Sequence, residues 1–170
     1  MGDDSTVEIS HLRGLIRYNL SMKYKSFAHM NCSVAQSLEI LGERWTLLIL
    51  RDAFLGTRKF EDFLGTGISR NVLAARLKRL LEEGILEKRP IDGKSSEYRL
   101  TLKGLDLQPV LLSLMHWGDK HLPHPAGDRL IFRERETGRQ IARMSAYSQD
   151  GQPLGPRQIT ATAGPGLKQN

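Results

Sequence analysis

Gly67-Ile-Ser-Arg-Asn-Val-Leu-Ala-Ala-Arg-Leu-Lys-Arg-Leu-Leu-Glu-Glu-Gly84 is the stretch that decides the fold, and it reads as a helix with both ends marked. Ser69 is an N-cap, since its hydroxyl can accept a hydrogen bond from an orphan backbone N–H of the first turn. Ile68 before the cap and Leu73 in the helix have the spacing of a hydrophobic staple. Gly84 follows the last turn, where a left-handed residue ends a helix at little cost. Leu73, Leu77, Leu80 and Leu81 repeat at i, i+4, i+7 and i+8, so one face is buried.

The opposite face is cationic. At roughly 100° per residue, Asn71, Ala75, Lys78 and Arg79 point away from the leucines, with Arg70 in the first turn and Arg76 on the flank. No acidic residue lies between 70 and 79. Positive charge in a first turn opposes the helix dipole, which suggests a use other than helix stability. Two readings fit the helix alone. One is a solvated charged surface, and the other is a helix laid in the DNA major groove with Arg and Asn near its N-terminus at base edges.

Outward from this helix, Arg58–Leu64 predicts a short helix packing Phe60, Phe63 and Leu64 inward. The Gly65–Gly67 turn then joins it to the 67–84 stretch in a helix-turn-helix arrangement. Upstream, Ser33–Leu41 predicts a helix opened by Cys32, with Ser33 as its cap and Val34, Leu38 and Leu41 on one side. Arg44–Leu55 is apolar nearly all round and is expected at the centre of the core. Downstream the period changes. Ile85–Ile91, with Pro90 at an edge, and Ser96–Leu100 predict two strands around an Asp92-Gly93 turn. A ribbon directly after a recognition-type helix is a wing, carrying Lys94 and Arg99 toward the minor groove or the backbone. Thr101 is expected to cap a last helix, Lys103–His121, kinked at Pro109. Its stripe Leu107, Val110, Leu111, Leu114 and Met115, with Leu105, Leu112 and Trp117 elsewhere, is too apolar for one small domain. A second copy of the chain is the simplest partner.

Composition agrees with one soluble domain plus extensions. The chain has 170 residues, 39% hydrophobic and 26% charged. The net charge of +6 and pI of about 9.7 favour a polyanionic partner. The longest apolar run is Leu47–Leu50, too short for a membrane span, and the acidic Met1–Ser10 lacks a signal-peptide core. A single cysteine, Cys32, leaves no internal disulfide framework. A cytoplasmic location is expected. The chain divides into an N-terminal arm (1–31), the winged helix-turn-helix DNA-binding and dimerisation domain (32–124), and a C-terminal β-rich extension with a loose tail (125–170). Met1–Ser10 is expected to be disordered and 11–27 to form an amphipathic arm. Met22 is an alternative start. In the extension, Leu130–Arg135 and Gln140–Tyr147 predict a β-hairpin, and Gln158–Ala163 a third strand. The fold class is therefore α+β.

With these elements in place, the chain resembles the HxlR family of bacterial winged-helix transcription regulators, which are MarR-like. The resemblance covers about Cys32–Leu122. It rests on Cys-Ser-Val-Ala-Gln-Ser-Leu-Glu-Ile-Leu-Gly-Glu-Arg-Trp-Thr-Leu-Leu-Ile-Leu (32–50), Arg-Lys-Phe-Glu-Asp-Phe (58–63) and Gly-Ile-Ser-Arg-Asn-Val-Leu-Ala-Ala-Arg-Leu (67–77). Leu-Glu-Glu-Gly-Ile-Leu-Glu-Lys-Arg (81–89), Tyr-Arg-Leu-Thr-Leu-Lys-Gly (98–104) and Trp-Gly-Asp (117–119) complete it. The resemblance implies a homodimer joined through its first and last helices on a pseudo-palindromic operator. It also implies that a cysteine matching Cys32 can sense oxidants or electrophiles. Longer relatives carry cysteine pairs in a C-terminal module. Here no cysteine follows Cys32, which excludes a zinc ribbon.

The candidate DNA readers are Ser69, Arg70, Asn71 and Ala75, with Lys78 and Arg79 on phosphates. Arg58 and Lys59 are candidate phosphate clamps, and Lys94 is the wing contact. Arg76 suits DNA or an ion pair with Glu82 or Glu83. Cys32 is either a small buried helix-start residue or a thiol activated by the helix N-terminus. Trp45, Phe54, Met115 and Trp117 are either plain core or the lining of a ligand pocket at the dimer interface. His116, His121 and His124 lack metal-ligand spacing, and no cofactor is expected. Repression is the simpler sign for a dimer with no activation domain. Two rivals remain. One is a winged helix serving as a protein-interaction module. The other is an enzyme built on Glu134, Glu136, Tyr147 and Asp150 in the extension, for which no nucleophile–base pair or phosphate loop is present.

Overall fold

The computed structural model describes residues 26–91, 93 and 95–167. The arm expected over 11–27 lies outside these residues except for its last two, as do segment 1–10, Asp92, Lys94 and the last three residues of the tail. The elements in chain order are α1 (Ser33–Leu41), α2 (Thr46–Phe54), α3 (Phe60–Phe63), a 3-10 turn (Leu64–Thr66) and α4 (Arg70–Glu82). There follow β1 (Leu86–Pro90), β2 (Ser96–Leu100), α5 (Leu102–Leu105), α6 (Gln108–His121), β3 (Ala146–Tyr147) and β4 (Pro153–Leu154). Among the described residues no helix is long and apolar enough to cross a membrane.

The local signals around α4 act as expected. The Ser69 hydroxyl accepts from the Val72 N–H at 3.4 Å. Gly67 and Gly84 take φ of +82° and +65°, which a side chain would oppose. Ile68, Leu73, Leu77 and Leu80 are buried with Ile49, Leu50 and Ala53 of α2, Phe63 of α3, Ile85 and Leu86 at the wing root, and Leu111 of α6. The apolar α2 is thus the central post, and α3, α4 and the wing root close around it. Phe63, fully buried, meets Tyr98 of β2 edge to face at 6.3 Å.

The wing is an antiparallel pair in the register Leu86↔Leu100 through Pro90↔Ser96. The Ile91 N–H closes its tip on the Ser95 carbonyl at 3.0 Å. Beyond the ladder, the Tyr98 N–H donates to the Arg58 carbonyl at 2.8 Å. β2 is therefore fixed on both edges.

Several expectations are corrected. The N-cap of α1 is Cys32 rather than Ser33, and its side chain makes no capping bond. The last helix is two helices. Thr101 caps the short α5 by accepting from the Gly104 N–H at 3.1 Å, and the chain breaks before α6. Pro109 sits in the first turn of α6, where its missing N–H costs nothing and its fixed φ starts a helix rather than kinking one. In the extension the expected hairpin is a minimal one, with the bridge Arg133↔Gln140 and bonds from the Ile141 N–H to the Phe132 carbonyl and from the Glu134 N–H to the Arg139 carbonyl. Gln158–Ala163 is no strand. A 3-10 turn occupies Pro156–Gln158, and β3 pairs with β4 instead.

Candidate nucleic-acid interface

α4 presents Ser69, Arg70, Asn71, Ala74, Ala75, Lys78 and Arg79 to solvent, opposite its buried leucines. Asn71, and Lys59 at the start of α3, make no side-chain hydrogen bond or ion pair among the described residues, so both are available to an external acceptor or donor. Arg70 is held differently. Its guanidinium makes a two-point contact with Glu61, Nη1 to Oε1 at 2.8 Å and Nη2 to Oε2 at 2.6 Å. It also lies 5.9 Å from the centre of the Phe60 ring. The Arg70 fork is therefore aimed by α3 rather than left to wave.

The hydrogen bonds from Arg70 hold the Glu61 carboxyl below its ordinary value of 4.5 and raise the Arg70 guanidinium further. A depressed folded pKa means the contact is present above about pH 4.5 and is lost as the pH falls through the folded value. Both groups are fully solvated, so stability changes little. The expected observable is a Glu61 carboxyl carbon that titrates with a midpoint below that of a solvated glutamate, and that returns to the ordinary midpoint in Arg70→Ala.

Lys78 lies 3.8 Å from Glu82, and Arg79 pairs with Glu83 at 2.8 Å. These pairs at i,i+4 are exposed enough to exchange for phosphate contacts. Two other expected contacts sit elsewhere. Arg76 turns toward the loop between α1 and α2 and pairs with Glu43 at 2.8 Å, not with Glu82 or Glu83. Its Nε is enclosed and unpartnered. It braces α4 against the loop between α1 and α2. Arg58 is half-buried and donates to the Ala53 carbonyl at 2.6 Å and the Thr57 carbonyl at 2.9 Å. Its guanidinium thus satisfies the exposed end of α2, and it does not extend toward a phosphate as expected.

On the wing, Arg89 pairs with Glu87 at 2.5 Å and Arg99 with Glu97 at 2.7 Å. The register sets Glu87 opposite Arg99 and Arg89 opposite Glu97, so this face alternates in charge and is neutral overall. Lys88, on the other face, reaches over the Tyr98 ring at 5.8 Å. Sequence reading missed Glu61 and Ala74. The Arg70–Ala74–Lys78 row at i+4 was the available signal for Ala74, but the pairing across the turn left none for Glu61.

Cys32 is half-buried and free. Phe54 and Met115 share one cleft, but Trp45 packs on the core and Trp117 lies outside, 57% exposed, tilted against the His121 ring at 5.1 Å. The expected four-residue pocket does not form in the chain by itself. Among the described residues no three His, Cys, Asp or Glu side chains cluster to hold a metal ion.

Comparison with known proteins places this geometry. Residues 40–126 match the HxlR-like helix-turn-helix family. An uncharacterised HTH-type transcriptional regulator of Mycobacterium tuberculosis is 40% identical over 139 residues, 80% of this chain and 88% of that protein. The HTH-type transcriptional regulator YodB of Bacillus subtilis is 33% identical over 88 residues, 49% of this chain and 79% of YodB. Among solved structures, PA1607, described as a candidate transcription factor, superposes with a TM-score of 0.74 at 35% identity over 81% of this chain and 99% of its own. That match reaches well beyond residues 40–126.

Proposed function

This chain belongs to the HxlR-like helix-turn-helix family of DNA-binding transcription regulators, which are not enzymes, and on that premise we propose that it is a homodimeric, operator-specific repressor working in the cytoplasm. One observation carries the reading. The exposed face of α4 combines an unoccupied Asn71 and a forked Arg70 near the helix N-terminus with Lys78 and Arg79 farther along. This is the arrangement in which base-edge readers precede phosphate contacts. Two such helices in successive major grooves lie about one turn apart, ~34 Å, on a pseudo-palindromic site. Ser69 and Ala75 flank the readers, and Lys59 approaches the backbone from the start of α3.

The test separates readers from clamps. Binding of the protein to its own upstream intergenic DNA is measured at two salt concentrations with excess random competitor. Asn71→Ala is expected to cost about 1–3 kcal/mol at one operator position and to relax specificity there. Lys78→Ala is expected to weaken all sequences alike and reduce the salt slope by about one. Binding that is steep in salt and indifferent to sequence would instead favour the protein-interaction module.

A second reading concerns Cys32. This free thiol is half-buried at the N-cap of α1, directly before Ser33. Its oxidation or alkylation would place a new group at the start of a helix assigned to the dimer. The expected result is that mild oxidation lowers the operator affinity of the wild type and leaves Cys32→Ser unchanged. An equal fall in both proteins would remove Cys32 from the mechanism.

A further inference from the structure

α6 has two apolar stripes with different fates. Val110, Leu114 and Trp117 are half-exposed or more and face away from the core. Leu111, Leu112 and Met115, with Gln108, form the i, i+3, i+4, i+7 row turned toward α2. Between that row and Phe54 of α2 with the following Leu55 lies a cleft of about 170 Å³, lined on its remaining side by Phe132 of the C-terminal hairpin. We propose that this cleft is a binding site for a small uncharged aromatic molecule, a single ring with one hydroxyl or carbonyl substituent, and that the hairpin is its lid.

Size and chemistry both point to that class. A dry apolar cavity of roughly 150 Å³ accommodates benzene, so the cleft takes one ring and a small substituent and excludes a peptide or a fused ring system. Phe54, Phe132 and the Met115 thioether provide edge and face contacts suited to a π system. Two polar groups border the cleft. Arg51 is already paired with Asp52 at 2.7 Å, so the rim has no net charge and favours a neutral ring over a carboxylate. The Gln108 amide can donate to or accept from the substituent.

The lid is fastened to α6. Arg129, ahead of the hairpin, pairs with Asp119 at 2.9 Å and donates to the Leu122 carbonyl. After the hairpin, the Met144 N–H donates to His116 Nδ1 at 3.3 Å. Lid and helix thus move together, and an occupant presses α6 away from α2. α2 is the post on which α4 rests, while α6 bears the outward stripe assigned to the dimer. Occupancy therefore changes the separation of the two α4 helices. This coupling rests on the function proposed above, but the binding itself does not.

The experiment uses the full-length protein and 4-fluorophenol followed by fluorine NMR. Saturable binding is expected, competed by phenol, with 4-fluorobenzoate at least ten-fold weaker. Phe132→Ala is expected to weaken binding at least five-fold with an unchanged thermal transition, and Met115→Trp to abolish it by filling the cleft. Absence of saturable binding, a preference for benzoate, or equal affinity in Phe132→Ala would overturn the site. The same samples are titrated with operator DNA. Ligand binding as expected, with no operator preference, would defeat the DNA reading and leave the site intact.

Discussion

Gly104→Ala is expected to destabilise the protein by about 3 kcal/mol, the reverse of what an alanine normally does inside a helix. Alanine in a helix interior is favoured over glycine by about 1 kcal/mol. At Gly104, however, a Cβ would lie 2.2 Å from the Ile85 carbonyl oxygen and 3.0 Å from Leu100 Cδ2. The carbonyl cannot retreat. Ile85 is buried, its N–H is bonded to Leu80, and its oxygen accepts from the Thr101 N–H at 3.1 Å. The added methyl must therefore push α5 off the wing root, and overpacking of a fixed backbone costs roughly 1–3 kcal/mol or more. For a chain of this size that corresponds to a fall in Tm of about 6–12 °C. Gly118→Ala is the control. It lies in α6 with open space around its missing Cβ, and it is expected to be neutral or to raise stability by up to about 1 kcal/mol. Urea or thermal unfolding of both variants decides the matter. A Gly104→Ala protein as stable as wild type would mean that α5 does not pack on Ile85 as described.

Leu114→Arg is expected to leave the fold intact and split the proposed dimer, with at least a hundred-fold loss of operator affinity. Leu114 is 50% exposed, with Val110 and Trp117 on the same side of α6 at 51% and 57%. Substituting such a residue by a charge alters monomer stability by no more than about 0.5 kcal/mol. In an isologous interface the same substitution appears twice, near a symmetry axis, and places two guanidinium groups in an apolar seam. Loss of the dimer then separates two half-site contacts that had acted as one, which removes an effective-concentration advantage of about 10²–10⁴. Sedimentation gives the mass, circular dichroism the fold and competitor-resistant DNA binding the affinity. A Leu114→Arg protein that sediments as a dimer would move the interface off this stripe.

What the sequence disclosed were the features set by neighbours along the chain. Ser69, Gly67, Gly84 and the leucine repeat fix α4 because caps and helical periods are local. The wing followed from Ser96–Leu100 and the turn before it for the same reason. The misreadings involve partners far away in sequence. Arg76 suits an ion pair with Glu82 or Glu83 two turns on, yet it pairs with Glu43 in the loop after α1. Arg58 reads as a phosphate clamp from its place at the start of the short helix, yet its guanidinium is held by the Ala53 and Thr57 carbonyls. Gln158–Ala163 has strand-forming residues, but β propensity needs an edge to pair with, and β4 had taken β3. Pro109 was misjudged by a few residues. A proline in the first turn of a helix begins it, and the break falls just before, at Leu107.

The double fastening of β2 also bears on the order in which the chain becomes structured. α2 and α3 are joined to the wing by the Arg58–Tyr98 backbone bond, and the end of α4 is joined to the start of α5 by the Thr101 hydroxyl on Gly84 and the Lys103 ammonium on Glu83, 17 and 20 residues apart in sequence. Helices close quickly because their contacts are local, but these closures wait for the return strand. On a ribosome, α1 to α4 would emerge as helices with their leucine faces still uncovered. The recognition surface would become rigid only when residues past Lys103 had left the exit tunnel. A regulator built this way cannot grip DNA as a nascent fragment, so its first binding-competent form already carries the complete wing.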